Sequence, residues 1–187
     1  MEKIRQEKNL NVPNMLTILR FLLLPVFVWK YLDGSVTAAL VVYVVVQLSD
    51  LLDGYIARRW NLITEFGKLM DPLADKFMLL AVLICFGIKE QIPWWVIGLV
   101  LGKEALMIVG GIFALRRKIV VAALRIGKIA TGVFALAVVG MLINNQTDAL
   151  GIVPTALLYL AVAITFWALV VYIRNLQRVL SMRKERE

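Results

Sequence analysis

The sequence predicts an all-α integral membrane protein with six transmembrane helices and a short N-terminal juxtamembrane segment, residues 1–14. Three observations predict this class. Hydrophobic residues make up 61% of the chain and mean hydropathy is +0.82, whereas soluble domains are nearer one half apolar. Long uncharged runs recur, each near the length that spans a bilayer. Lys and Arg gather at alternate ends of these runs, as in proteins whose cytoplasmic loops are positively charged.

Six apolar runs define the expected helices in order. They cover residues 15–31, 36–56, 69–88, 93–115, 121–143 and 152–173. The breaks between them are polar, charged or rich in Gly and Pro, as at helix ends. These breaks are Asp33-Gly34, Arg58–Lys68, Lys89–Pro93, Arg116–Lys118 and Asn144–Gly151. No internal repeat or low-complexity linker separates the runs, so we expect residues 1–187 to form a single membrane domain.

The basic residues predict how the chain lies in the membrane. The net charge is +8, and most Lys and Arg precede the first run, flank the second and fourth breaks, or follow the last run. Arg20, at the start of the first run, belongs to this set. We therefore expect both termini and these two breaks at the cytoplasmic face of the cell membrane. Nucleic-acid binding is not expected, because the charges are spread over helix ends with no soluble module.

Four aspartates stand where an apolar chain should avoid them. Asp50, Asp53, Asp71 and Asp75 lie at the ends of long apolar runs, where a carboxylate is costly unless it has a partner. The spacings i, i+3 and i, i+4 place each pair on one helix face. Because four neighbouring carboxylates repel one another, we expect cations to hold them. Oxygen-only ligands suit Mg²⁺, Mn²⁺ or Ca²⁺.

The residues around the aspartates suggest phosphate chemistry. Gly54 leaves room for a ligand to approach the backbone, and Arg58 offers a fork of donors to a phosphate. The chain has no histidine and one cysteine, Cys85, which excludes Ser-His or Cys-His nucleophiles and His-ligated zinc. Two divalent ions bridged by carboxylates could clamp a diphosphate. The only candidates for a general base near this site are the aspartates themselves.

The complete motif is Asp50-x2-Asp53-Gly54-x2-Ala57-Arg58-x8-Gly67-x3-Asp71-x3-Asp75. It contains every fixed position of the CDP-alcohol phosphotransferase motif, and the chain resembles this family. The resemblance extends to two further elements, Pro13-Asn14-x2-Thr17-x2-Arg20 and Gly127-Lys128-x2-Thr131.

The resemblance implies a reaction and a set of roles. The chain would transfer a phosphatidyl group from CDP-diacylglycerol to glycerol 3-phosphate, with CMP as leaving group and two Mg²⁺ or Mn²⁺ ions as cofactors. Asp50, Asp53 and Asp71 would bind metal, and Asp75 would bind metal or act as the base that activates the acceptor hydroxyl. The residues that would line the CDP-lipid pocket or permit the return of the chain beside it are Gly54, Ala57, Arg58 and Gly67.

An acceptor with a phosphate group needs cations. The candidates are Arg116, Arg117, Arg125 and Lys128, at the cytoplasmic ends of the fourth and fifth runs. Arg116 and Arg117 could equally be topological anchors. Lys128 belongs to an element similar to the family's G-K-x-K-T, but Ala130 replaces the second lysine. This departure leaves the acceptor open.

Two other functions and two packing arrangements are compatible with the sequence. With phosphatidylglycerol as acceptor, the same fold would be a cardiolipin synthase. A divalent-cation transporter could also use four aspartates, but its carboxylates should lie near mid-membrane.

Gly98-x3-Gly102 and Gly110-Gly111 offer faces for close helix packing, either within one bundle or between two chains. The resemblance favours a homodimer.

Overall fold

The computed structural model describes residues 11–60, 64–116 and 125–184, and every regular element within these ranges is an α-helix. The predicted all-α class is therefore confirmed. The helices are α1 Val12–Leu32, α2 Val36–Arg59, α3 Glu65–Ile88, α4 Trp94–Arg116, α5 Arg125–Thr147 and α6 Val153–Lys184. Each corresponds to one predicted apolar run.

Five of the six helices are long and apolar enough to cross a membrane, namely α1, α2, α4, α5 and α6. The helix α3 is not among them, because Asp71, Asp75 and their basic neighbours occupy its first half. Most helix ends lie within four residues of the predicted runs, and the largest difference is at the end of α6. This helix continues to Lys184 rather than residue 173, since the polar segment after the apolar run is rich in good helix formers.

Local signals explain where the first helices begin and end. The Asn11 side chain accepts a hydrogen bond from the backbone N–H of Asn14 at 3.0 Å and caps α1. The connection from α1 to α2 turns at Gly34, whose φ of +89° suits glycine. The Thr64 hydroxyl caps α3 by accepting from the Gly67 N–H at 3.0 Å. These caps fix the first residues of α1 and α3, the helices that carry Arg20 and two of the four aspartates.

The chain divides into two compact units, Met1–Gln91 and Ile92–Glu187. In the first unit, α1 packs against both α2 and α3. Its core contains Phe27 and Tyr31 of α1 together with aromatic residues of the neighbouring helices. The Tyr31 hydroxyl donates to Gln91 Oε1 at 2.8 Å. The helix α1 thus forms the centre of this unit.

In the second unit, α6 packs mainly against α5 and also contacts α4. Fully buried residues of these helices include Ala137 and Leu142 of α5 and Leu158 of α6. The connection between α5 and α6 turns at Gly151, with a φ of +50°. Asn144 stabilises the turn, since its side chain donates to the Gly151 carbonyl and accepts from the Leu150 N–H.

Candidate active site

A buried polar stripe on α1 is the first part of the site. Asn14, Thr17 and Arg20 are three residues apart, so they lie close to one face of the helix. All three are buried, with exposed fractions of 1%, 1% and 3%. Polar groups inside an apolar helix need partners, and the partners here come from α2 and α3.

The Arg20 guanidinium binds all four aspartates of the motif. Its Nη1 atom donates to Asp50 Oδ1 at 2.7 Å and to Asp75 Oδ1 at 2.7 Å. Its Nη2 atom donates to Asp53 Oδ2 at 2.6 Å and to Asp71 Oδ1 at 3.2 Å. The aspartates predicted to form one site therefore do come together, with an arginine between them.

The four carboxylates are arranged as two couples across the helices. Asp50 and Asp53 belong to α2, whereas Asp71 and Asp75 belong to α3. Each terminal nitrogen of Arg20 takes one aspartate from each helix. The two carboxylate oxygens that bind the same nitrogen are therefore close together, because their separation cannot exceed the sum of their two distances to that nitrogen. One positive charge faces four carboxylates, so the cluster retains a strong attraction for further cations when the aspartates are ionised.

A second network fixes the start of α3 against α1. Thr17 Oγ1 donates to Asp71 Oδ1 at 2.5 Å and lies 3.2 Å from the Pro13 carbonyl oxygen. Thr64 Oγ1 donates to Asn14 Oδ1 at 3.0 Å. A Cβ added at Gly67 would lie 3.1 Å from Asn14 Oδ1, so only glycine fits this close approach without displacement. A larger residue at position 67 would therefore require Asn14 or Thr64 to shift by a few tenths of an ångström.

The aspartates differ in their access to solvent or ligand. The Asp53 side chain is 3% exposed, whereas those of Asp50, Asp71 and Asp75 are 40%, 41% and 56% exposed. Within the described ranges, the second carboxylate oxygen of each accepts no hydrogen bond. The cluster is therefore buried at Arg20 and Asp53, and the side chains of Asp50, Asp71 and Asp75 are partly accessible.

The donor set fits hard divalent ions, although no single point is enclosed by three ligands. All candidate ligands are carboxylate oxygens, which Mg²⁺ and Mn²⁺ prefer. Among the described residues, no group of three or more His, Cys, Asp or Glu side chains is arranged to hold a metal ion. The couples offer two carboxylates each, and Mg²⁺ is commonly held by one or two carboxylates together with substrate phosphates and water.

The other predicted donor-site residues lie on α2 beside the cluster. Gly54 and Ala57 are half-buried. Ala57 is four positions beyond Asp53 and shares its helix face, whereas Gly54 directly follows Asp53 in the sequence. Arg58 lies on α2 as well, but its side chain falls outside the described part of the chain. The contacts of Arg58 with phosphate therefore stay a prediction.

The predicted acceptor residues belong to the second unit. Arg116 ends α4 and Arg125 begins α5, and their side chains are outside the described part. Arg117 lies between residues 116 and 125 and is also outside it. Lys128 is exposed on the first turn of α5, where its ammonium group is accessible to an anion. Their role in acceptor binding stays a prediction.

Sequence reasoning did not identify the role of Arg20. Counting basic residues assigns it to membrane orientation, and the resemblance includes it without a role. The signal that could have found it is the spacing of Asn14, Thr17 and Arg20 within an otherwise apolar helix. Three polar residues on one face indicate a buried polar contact with other helices.

The comparisons with known proteins identify a family. The sequence model of the CDP-alcohol phosphatidyltransferase family matches residues 10–167. A CDP-diacylglycerol–glycerol-3-phosphate 3-phosphatidyltransferase of Aquifex aeolicus is 34% identical over 74% of this chain and 79% of its own length. The protein of the same name in Bacillus subtilis is 33% identical over 83% and 89%. A CMP-forming cardiolipin synthase of Streptomyces coelicolor is 34% identical over 57% and 53%. The matched region includes the aspartate cluster and helices of both units.

Proposed function

The chain belongs to the CDP-alcohol phosphatidyltransferase family, and we propose that it transfers the phosphatidyl group of CDP-diacylglycerol to glycerol 3-phosphate. The products are phosphatidylglycerophosphate and CMP. The observation that carries this proposal is the convergence of Asp50, Asp53, Asp71 and Asp75 on Arg20. It brings together the four aspartates of the family motif, which belong to two different helices. The names of the relatives from Aquifex aeolicus and Bacillus subtilis support the choice of substrates.

The proposed cofactors are two divalent ions, Mg²⁺ or Mn²⁺. Asp50, Asp53 and Asp71 would hold them, with Asp75 as a further ligand or as the base, because these carboxylates have oxygens that accept no hydrogen bond within the described ranges. When bound, the ions would neutralise the charge of the CDP-lipid diphosphate and of the departing CMP. The division into two couples of carboxylates supports a site for two ions rather than one.

Asp75 is the proposed general base. Its side chain is the most exposed of the four, and one of its oxygens is held by Arg20 at 2.7 Å. The other oxygen is accessible to an acceptor hydroxyl and would take its proton. The acceptor oxygen then attacks the phosphorus that carries the diacylglycerol. The bond from that phosphorus to the oxygen of CMP breaks, and CMP leaves with the electron pair.

The remaining residues would bind the two substrates. Gly54 and Ala57 line the side of α2 next to Asp53 and leave room for the cytidine diphosphate, with Arg58 as a donor to its phosphates. Gly67 would keep the start of α3 close to α1. The phosphate of glycerol 3-phosphate would be bound by the basic residues near the α4–α5 connection, namely Arg116, Arg117, Arg125 and Lys128.

The proposal places the enzyme in the cell membrane with both termini and the active site at the cytoplasmic face. The clustering of Lys and Arg at one side of the apolar runs supports this orientation.

A homodimer is also proposed. A methyl group added at Gly98 or Gly102 of α4 would meet no described atom within 4 Å, so this small-residue face is open to close packing with a second chain.

A cardiolipin synthase is the second candidate. The similarity to the Streptomyces coelicolor enzyme supports it, and Ala130 departs from the lysine of the family element near Lys128. The two functions differ only in the acceptor, which is glycerol 3-phosphate in one and phosphatidylglycerol in the other.

The discriminating experiment is a CMP-release assay on the purified chain in detergent micelles. CDP-diacylglycerol and Mg²⁺ are supplied with either glycerol 3-phosphate or phosphatidylglycerol. We expect CMP release with glycerol 3-phosphate only. Release with phosphatidylglycerol alone would establish the cardiolipin reaction. Absence of CMP release with both acceptors, together with Mn²⁺ flux into proteoliposomes, would indicate a transporter.

A further inference from the structure

Arg20 connects two helices that each carry half of the aspartate motif. Nη1 joins Asp50 of α2 to Asp75 of α3, and Nη2 joins Asp53 of α2 to Asp71 of α3. In this unit both α2 and α3 pack against α1, the helix that carries Arg20. A single side chain therefore sets the position of each α2 carboxylate against an α3 carboxylate.

The surroundings of Arg20 separate this role from membrane anchoring. An anchoring arginine places its charge at the membrane surface among lipid head groups and water. The Arg20 side chain is instead 2% exposed, and its Nε atom has no hydrogen-bond partner among the described residues. The carboxylates on the two terminal nitrogens are thus the groups that orient the guanidinium.

We propose that Arg20 is a positioning residue for divalent-cation binding at the aspartate cluster, a role that rests on the proposed function. By binding one oxygen of each carboxylate, it fixes the side-chain rotamers and reduces the repulsion between the four charges. The carboxylate oxygens that Arg20 does not bind would then be left for a cation. Thr17 assists at one corner, because its hydroxyl donates to the same Asp71 oxygen that Nη2 binds.

The chemistry of arginine explains why this position needs a guanidinium. The group is planar and has five N–H donors, so its two terminal nitrogens can bind carboxylates in different directions at once. A lysine ammonium has the same charge but is a single point with three donors. Lysine could neutralise part of the negative charge of the cluster, but it could not hold both pairs of aspartates in position at once.

The test is the affinity for Mn²⁺, measured without substrate. The full-length chain is purified in detergent micelles, treated with chelator and dialysed, and titrated with Mn²⁺ while the electron paramagnetic resonance signal of free Mn²⁺ is recorded. We expect Arg20→Gln to raise the Mn²⁺ dissociation constant by about ten- to a hundredfold, the effect usual for partners that orient metal ligands. Arg20→Lys should give an intermediate value.

The matched control is Phe27→Leu. Phe27 is fully buried on the same helix and contacts Tyr31 and Tyr43 rather than carboxylates. This variant should lower the melting temperature and leave the Mn²⁺ dissociation constant unchanged. An equal loss of affinity in Phe27→Leu would mean that packing of α1, not the guanidinium, sets the affinity, and would overturn the proposal.

Three further outcomes are decisive. Unchanged or tighter Mn²⁺ binding by Arg20→Gln would show that Arg20 does not support the cation site and would overturn the proposal. If Arg20→Gln does not fold, an unchanged dissociation constant in Arg20→Lys would overturn it as well. Failure of the unaltered chain to bind Mn²⁺ would contradict the metal site of the proposed function itself. Retained binding in the variants, by contrast, would contradict only the role of Arg20.

Discussion

The two compact units of this chain place charge inside apolar helices in different ways. In the first unit, Arg20 of α1 binds four aspartates from two other helices. In the second, Lys103 of α4 forms an ion pair with Glu104, its neighbour in the sequence. Both cations are largely buried. Arg20 joins three helices, whereas the carboxylate paired with Lys103 belongs to the next residue of the same helix.

This difference distinguishes a candidate functional site from a charged residue that is merely neutralised within an apolar helix. An ion pair between adjacent residues, such as Lys103–Glu104, lowers the cost of charge in an apolar segment. The Arg20 cluster brings together four carboxylates that repel one another. This arrangement is unfavourable for the ionised aspartates unless further cations bind to them. The comparison predicts that reaction chemistry depends on the first unit in an all-or-none manner and on the second in a graded manner.

The largest expected effect is the loss of all activity on removal of divalent ions. The aspartates cannot hold a diphosphate without cations, because the charges have the same sign. We expect CMP release to stop in excess EDTA and to return with Mg²⁺ or Mn²⁺. Full CMP release in excess EDTA would contradict the metal site and remove the proposed distinction between the two units.

The next effect separates the buried aspartate from the exposed one. Asp53→Asn should weaken metal and donor binding together, since an amide is a poorer ligand for a hard cation. Asp75→Asn should lower kcat by about 10²- to 10⁴-fold with a smaller change in donor affinity, because it removes the proton acceptor. Steady-state kinetics with varied Mg²⁺ and CDP-diacylglycerol measures both.

Asp33→Asn is the control for these two variants. Asp33 is exposed at the turn between α1 and α2 and contacts Ser35 rather than the cluster. It should leave kcat and both apparent affinities at the level of the unaltered chain. Equal losses of donor affinity in Asp53→Asn and Asp75→Asn would mean that Asp75 is a metal ligand and not the base.

A graded effect is expected in the second unit. Lys128→Gln should raise the KM for glycerol 3-phosphate by about ten- to a hundredfold, since a hydrogen bond to a charged group contributes about 1.5–3 kcal/mol. The KM for CDP-diacylglycerol should stay nearly unchanged, and Arg125→Gln should behave in the same way. Lys30→Gln, at the other end of the apolar runs, is the control.

A normal KM for glycerol 3-phosphate in the Lys128→Gln and Arg125→Gln variants would place the acceptor phosphate elsewhere. It would also sharpen the contrast between the two units, because the second would then contribute no measured contact to either substrate.

The described helices and the convergence of the four aspartates were predictable because their signals are local. Apolar length defines the helices, and the aspartates share helix faces through spacings that can be read along the chain. The role of Arg20 depends on which helices α1 packs against, and a basic residue at the start of an apolar run satisfies membrane topology equally well. The close contact at Gly67 likewise involves Asn14 of another helix, which spacing alone does not reveal.

The smallest expected effect compares two glycines, one in each unit. Gly67→Ala would place a methyl group 3.1 Å from Asn14 Oδ1 and 3.3 Å from Thr64 Oγ1, inside the network that joins α1 to α3. Overpacking of this kind costs about 1–3 kcal/mol. Gly132 of α5 is matched in chemistry, but an added methyl group there meets no described atom within 4 Å.

Gly132→Ala should therefore be neutral or stabilising by up to about 1 kcal/mol, because alanine restricts the unfolded chain and favours helix. Thermal unfolding in detergent, followed by circular dichroism, should place the melting temperature of Gly67→Ala below that of the unaltered chain and Gly132→Ala at or above it.

Because Asp71 is also within reach of the added methyl group, at 3.7 Å from its Oδ2 atom, Gly67→Ala should in addition weaken Mn²⁺ binding. A melting temperature for Gly67→Ala equal to that of Gly132→Ala would mean that the start of α3 yields without cost. The close approach of α1 and α3 would then not be what holds the aspartate couples together.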